Sequence, residues 1–165
     1  MNVRNVVTTI AGLAGVFMLG NSAVVAQQMA SGDGQPSVQA TVPPLFAVLL
    51  GGNEVSETGN ANAGHPDGYG SATVIIRGTT LCFGITVDGI DKPTLAHIHQ
   101  APAGVNGDIV VPLIPPPNGN PGTSSRCIFG LDQTLLTDIQ RHATGFYVNV
   151  HTENFPAGAV RGQLF

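Results

Sequence analysis

The chain consists of short alternating or apolar runs that Gly, Pro and Asn residues separate, and this pattern restricts it to all-β folds. Side chains alternate between the two faces of a strand, so each run predicts a half-buried strand. The number and spacing of the runs indicate an antiparallel, Greek-key-like β-sandwich or barrel. We predict eight strands, over Leu45–Gly51, Gly70–Arg77, Thr80–Asp88, Thr94–Gln100, Asp108–Ile114, Arg126–Leu131, Gly145–Thr152 and Gly158–Phe165.

One segment has a helical period instead. Asp132 is an N-cap candidate, and the following residues to Arg141 place Leu135, Leu136 and Ile139 on one side. We predict a short helix here that covers an open end or edge of the sheet. The stretch Arg77–Thr80 predicts a tight hairpin turn, so neighbouring strands should be antiparallel.

The N-terminal residues resemble an export signal. Arg4 is followed by the apolar run 6–19 and by small residues up to Ala26. That run is shorter than the roughly 20 residues that a membrane span needs. We predict a signal peptide over 1–26, a flexible, polar leader over 27–41 and one β domain over 42–165. The protein should be exported, periplasmic or secreted, with no membrane span after cleavage.

Charge and cysteine content limit the partners. The formal net charge is −4 and Lys92 is the only lysine. Nucleic acid is excluded as a partner, because phosphate binding needs clustered basic residues. Cys82 and Cys127 are the two cysteines, and an even count in an exported chain predicts one disulfide bond. The alternative, two thiolate metal ligands, lacks the close spacing of CxxC sites.

Three histidines fall in two strand-like runs: His97 and His99 in one, His151 in the other. Residues i and i+2 of a strand point the same way, about 6.6 Å apart, so their imidazoles can share one ion. Three neutral nitrogens suit copper or zinc and leave a coordination position open. We predict a metal site, with copper favoured over zinc. The alternative is that these histidines bond the backbone and fix loops.

The alternation in the seventh run assigns its faces. Phe146, Val148 and Val150 should face the core, so Tyr147, Asn149 and His151 should point outward. If residues 153–157 form a hairpin with the last strand, Asn149 pairs with Arg161 and Tyr147 with Gln163.

That register gives Arg161 a predicted role. It would lie one cross-strand diagonal from His151, where its guanidinium can attract a small anion or, with Asn149 and Tyr147, support the ligands. A fourth ligand could come from the Gly-rich loop 64–68, and we name His65 for it, with Asp67 as the alternative.

Four motifs together resemble the CHRD domain family, which is named from chordin and is common as a single exported module in bacteria. They cover residues 95–99, 103–111, 147–152 and 156–164, and they follow the family's order and spacing. The resemblance extends over about residues 45–165 and implies an all-β domain outside the cytoplasm, with no settled biochemical activity. One departure is that Glu54-Val55 precedes a Gly/Asn-rich loop where the family often has Glu-Val-Pro-Pro.

A looser likeness is to copper-zinc superoxide dismutase, in which an HxH strand and a later His hold copper and a C-terminal Arg guides the anion. The order of His97, His99, His151 and Arg161 is similar. However, residues 100–141 contain no histidine for a bridging imidazole or a zinc loop, and the disulfide of that family does not map onto the two cysteines here.

These observations leave three functions. The first is an exported module that binds a transition metal as carrier, buffer or sensor. The second is a structural or adhesive module without metal, which would bind another exported protein or a cell-surface component. The third is a dismutase-like redox enzyme. We favour a non-enzymatic role and assign no catalytic residue, because no nucleophile elbow, phosphate loop or distinctive carboxylate pair is found in the sequence.

Overall fold

The computed structural model describes residues 42–165, and the predicted signal peptide and leader lie outside these described residues. In this part of the chain eight antiparallel strands form a single curled sheet, a half-barrel, in the order β5-β4-β7-β8-β1-β2-β3-β6. The strands are β1 (Leu45–Leu50), β2 (Tyr69–Arg77), β3 (Thr80–Asp88), β4 (Pro93–Gln100), β5 (Asp108–Leu113), β6 (Gly122–Ile128), β7 (Phe146–Thr152) and β8 (Val160–Gln163). The predicted all-β fold class is therefore confirmed.

The sheet curls around one apolar core. Alternate residues of β1, such as Ala47 and Leu49, are buried while their neighbours are exposed. On β7 the predicted core residues Phe146, Val148 and Val150 belong to this core. The apolar faces of β1 and β7 thus follow the period of two that their sequences show.

Within residues 42–165 one α-helix is present, α1 (Gln133–Arg141), and it packs on the core. The side chain of Asp132 accepts a hydrogen bond from the backbone N–H of Thr134, as its N-cap position predicts. Leu136 and Ile139 are buried and Leu135 is half-buried. The apolar side of the helix therefore joins the interior of the half-barrel. No helix within residues 42–165 is long and apolar enough to cross a membrane.

The predicted disulfide is present. Cys82 on β3 and Cys127 on β6 are directly paired in the ladder between these strands, and their sulfur atoms are bonded. The bond fastens β6, an edge strand of the sheet, to its one neighbour. The predicted tight turn after Arg77 is also confirmed, because Arg77 pairs with Thr80.

The predicted sixth strand, Arg126–Leu131, was placed too late in the chain. Strand β6 begins at Gly122 and ends at Ile128, and its first half pairs with Thr86 and Val87 of β3. As an edge strand, β6 pairs with β3 alone. Backbone hydrogen bonds to that one neighbour hold it, and these do not require alternating apolar side chains. The polar residues 123–125 therefore give no strand signal in the sequence.

Candidate metal centre

Strands β4, β7 and β8 lie side by side and carry polar residues on the face opposite the core. Across these strands His97 pairs with Asn149, which pairs with Arg161, in one row. His99, Tyr147 and Gln163 form the next row. The register predicted between β7 and β8 is thus confirmed, and it aligns the histidines of β4 with the polar residues of β7.

This polar face points away from the core, as predicted, but it is not open to solvent. His97 and His99 are each 8% exposed, and His151 is 7% exposed. Every residue of β7 is buried. The cause lies in loops 51–68, 101–107 and 153–159, which fold over the face and bond to it, as the contacts below show.

The three histidine rings form one cluster. The centroid of the His97 ring lies 5.0 Å from that of His151 and 5.5 Å from that of His99, and the His99 and His151 centroids are 6.2 Å apart. One ring nitrogen from each residue lies within 4.8 Å of the others. Nδ1 of His97 and Nε2 of His151 are 3.1 Å apart. In a tetrahedral metal site with bonds of about 2.0–2.1 Å, ligand nitrogens are about 3.3 Å apart. The His97–His151 pair already has about this spacing, while the whole group lies within 4.8 Å.

Backbone carbonyls of the covering loops fix two of the rings. Nδ1–H of His99 donates to the carbonyl of Gly107 at 2.9 Å, and Nδ1–H of His151 donates to the carbonyl of Pro156 at 2.9 Å. A neutral imidazole that donates from Nδ1 keeps a lone pair on Nε2. Nε2 of His99 is buried and has no hydrogen-bond partner. The loops therefore aim lone pairs into the cluster, as second-sphere carbonyls do in metal sites.

The three imidazoles are also kept neutral. Burial, with smaller contributions from His151 and His99, lowers the pKa of His97 from 6.5 to about 4. Burial lowers the pKa of His99 and of His151 as well, although each backbone hydrogen bond opposes the shift. Metal ligands must be deprotonated. Near neutral pH this cluster therefore needs to release no imidazolium proton before it can bind an ion.

Arg161 on β8 connects the polar face to the loop above it. Its guanidinium donates from Nη1 to Oδ1 of Asn106 at 3.1 Å and from Nη2 to the carbonyls of Pro102 and Val105 at 3.2 and 2.7 Å. Asn106 donates in turn to the carbonyl of Val55, at 3.0 Å, in the loop after β1. One arginine thus links two of the covering loops.

The same guanidinium reaches the histidines through an aromatic stack. Its central carbon lies 3.4 Å from the centroid of the Tyr147 ring. That ring stacks on His99, with centroids 4.8 Å apart and planes 5° from parallel. Arg161 is 1% exposed, and protein atoms already accept from its Nη atoms. This environment disfavours the predicted attraction of a small anion, because acceptors of the covering loop already bond to both Nη atoms.

Sequence reasoning missed one residue of this face, Glu54. Its carboxylate is 1% exposed and accepts a hydrogen bond from Nδ2 of Asn149 at 3.2 Å. Burial raises the pKa of Glu54 from 4.5 to about 8, although the charge of Arg161 opposes the shift. The signal was the Glu-Val pair of the family's N-terminal motif, which we noted only as the start of a divergent loop.

The structure does not bring His65 into the histidine cluster. The group of potential ligand atoms within 4.8 Å contains His97, His99 and His151 only, among the residues described. The His65 ring packs against Phe155 at 5.2 Å, and its Nδ1 accepts from the backbone N–H of Asp67 at 3.3 Å. The alternative ligand Asp67 is likewise outside the group.

A comparison with protein-family models identifies the family of this chain. The model of the CHRD domain matches residues 45–164, which include all eight strands and the polar face. The chain belongs to the CHRD domain family. No curated protein and no solved structure matches it. The likeness of this CHRD domain to copper-zinc superoxide dismutase thus rests on the order of four residues alone.

The Arg161 network makes a prediction about stability. Arg161→Lys keeps the charge but loses the planar fork, so at least one loop acceptor loses its partner. We expect the free energy of unfolding to fall by roughly 2–4 kcal/mol, measured by urea denaturation. The exposed control Arg77→Lys should change it by no more than about 0.5 kcal/mol. Equal effects of the two variants would contradict the role given to Arg161.

Glu54 predicts an unusual dependence of stability on pH. Because the folded state holds this carboxyl protonated to a higher pH than the unfolded chain does, its contribution is complete below pH 4.5 and is lost as the pH rises through about 8. Relative to Glu54→Gln, the wild-type protein should lose up to about 1.4 kcal/mol of stability per pH unit within that window. Urea denaturation of both proteins across the window measures this, and a constant or opposite difference would contradict the assignment.

Proposed function

We propose that this protein is an exported CHRD module that binds a transition-metal ion through His97, His99 and His151. Copper is the favoured ion and zinc the alternative. Its role is that of a metal carrier, buffer or sensor rather than that of an enzyme.

The observation that carries this proposal is the convergence of three neutral imidazoles in one buried cluster. Buried polar atoms of folded proteins nearly always have hydrogen-bond partners. Nε2 of His99 has none, although it lies next to two other imidazoles. A metal ion among the three rings would supply the missing partner.

The donor set supports the choice of metal. Three imidazole nitrogens without a thiolate suit copper and zinc, and copper binds such sites more tightly by the Irving–Williams order. The cysteines do not compete for the ion, since Cys82 and Cys127 are bonded to each other. Within residues 42–165 the histidine group is the one such cluster of potential ligands.

Location outside the cytoplasm is part of the proposal. A disulfide bond and a CHRD domain are both compatible with an extracellular protein. The predicted signal peptide adds to this, and periplasmic and secreted destinations fit equally. Another exported protein or a cell-surface component would receive or deliver the metal ion.

One observation favours the second candidate function, a structural or adhesive module without metal. His99 and His151 already anchor the loops at Gly107 and Pro156 through their Nδ1 atoms. In that account the histidines serve only to hold the covering loops. The two accounts differ in whether Nε2 of His99 and of His151 binds an ion.

Metal titration of the purified protein separates these candidates. We expect one Cu²⁺ or Zn²⁺ ion per chain, measured by calorimetry, with affinity reduced at least about 100-fold in His97→Ala, because removing one of three ligands leaves a two-nitrogen site. Binding should weaken as the pH falls, because protons compete for the same lone pairs.

The matched control is His142→Ala. His142 is exposed and pairs with Asp138 on α1, away from the cluster. Its removal should leave the affinity unchanged. If wild-type protein binds neither ion, or if both variants bind equally, the proposed function is wrong and the loop-anchoring account stands.

A further inference from the structure

We propose that Glu54 provides the negative charge of this site, acting through Asn149, and that the site therefore selects a divalent ion over a monovalent one. This inference rests on the proposed function and specifies its cargo. Glu54 is not a ligand of the histidine group but a positioning and charge-balancing residue beside it.

The need for such a charge follows from the composition of the site. Three imidazoles are neutral ligands, so a bound dication keeps its full charge. The buried guanidinium of Arg161 lies on the ring of Tyr147, which stacks on His99. The positive charge of Arg161 is therefore already close to the histidine cluster. Charges in a poorly hydrated interior interact strongly. A dication would be disfavoured here unless an anion lies on the same face.

Glu54 meets this need once an ion is bound: the metal-free protein keeps its buried carboxyl protonated near neutral pH, and the charge of a bound dication would lower its pKa and favour the carboxylate form. Glu54 is the one acidic residue among the buried side chains of residues 42–165. It bonds to Asn149, which pairs directly with His97 across β4 and β7 and is two residues before His151. Glu54 thus bonds to a residue that lies in the same strand row as His97 and on the same face of β7 as His151.

The hydrogen-bond inventory points to the same place. Among the described residues, three buried side-chain atoms lack a partner: Oε1 of Glu54, Oδ1 of Asn149 and Nε2 of His99. All three belong to this polar face. Orphaned acceptors of this kind are costly in a purely structural network, because each loses its hydration without compensation. A cation among the rings would supply the partner that Nε2 of His99 lacks, and its charge would favour an ionised carboxylate at Glu54.

The backbone holds the Glu54 carboxylate in position. A Cβ at Gly158, whose φ is +145°, would overlap both carboxylate oxygens, and one at Gly64 would overlap Cγ of Glu54. The Glu54 side chain therefore packs directly against the backbone of two glycines, where any larger residue would displace it. This confinement keeps Oε2 within reach of Asn149.

The test compares two ions of different charge on Glu54→Gln, which keeps the shape of the side chain and its bond to Asn149. We expect the affinity for Zn²⁺, measured by calorimetry, to fall about 10–100-fold, as for other losses of outer-sphere carboxylates. The affinity for Cu⁺, measured under ascorbate against a chromophoric chelator, should change less than about threefold, because a single charge needs less compensation. Glu57→Gln, an exposed acid of the same loop, should change neither affinity.

Each outcome decides the question. If Glu54→Gln loses affinity for Zn²⁺ and Cu⁺ equally, Glu54 has a merely structural role. If neither affinity falls, Glu54 does not affect metal binding. Either result overturns the inference. Failure of wild-type protein to bind Zn²⁺ and Cu⁺ overturns the proposed function instead. If thermal melting shows that Glu54→Gln does not fold, Glu54→Asp replaces it, and its retracted charge should again weaken Zn²⁺ binding more than Cu⁺ binding.

Discussion

The architecture of the polar face depends on the hydrogen bonds that the buried Arg161 guanidinium donates to the covering loop. A curled sheet with one apolar face would ordinarily leave its other face in water. Here the arginine binds carbonyls of the loop after β4, and Asn106 of that loop binds the loop after β1. Because these loops close over β4, β7 and β8, the histidines lie in a second, polar interior. Burial then lowers their pKa values, so the rings are neutral near neutral pH.

Much of the fold could be predicted from the sequence, because alternation fixes which side of each strand faces the core. The register of β7 and β8 followed from the same argument and is confirmed. Strand β6 was misplaced because an edge strand is held by backbone bonds that leave no apolar pattern. The covering of the polar face was also missed, because loop closure depends on contacts distant in sequence, such as that between Asn106 and Val55.

The site was only partly predictable for the same reason. His97, His99 and His151 share a face by strand periodicity alone. Glu54 lies 95 residues from Asn149 in the chain, and no spacing rule brings a loop acid to a distant strand. Arg161 was placed correctly in the register, yet its environment could not be derived, because exposure depends on what covers a face and not on which way a side chain points.

The central claim is that the covering loops set His99 and His151 as neutral rings with protons on Nδ1 and lone pairs on Nε2. Long-range ¹H–¹⁵N correlation spectroscopy of the metal-free protein near neutral pH reads the protonation of each ring nitrogen directly. The account predicts the Nδ1–H form for both rings. Protons on Nε2, or imidazolium rings at that pH, would contradict it, because neither form leaves the inward nitrogens able to bind a metal ion.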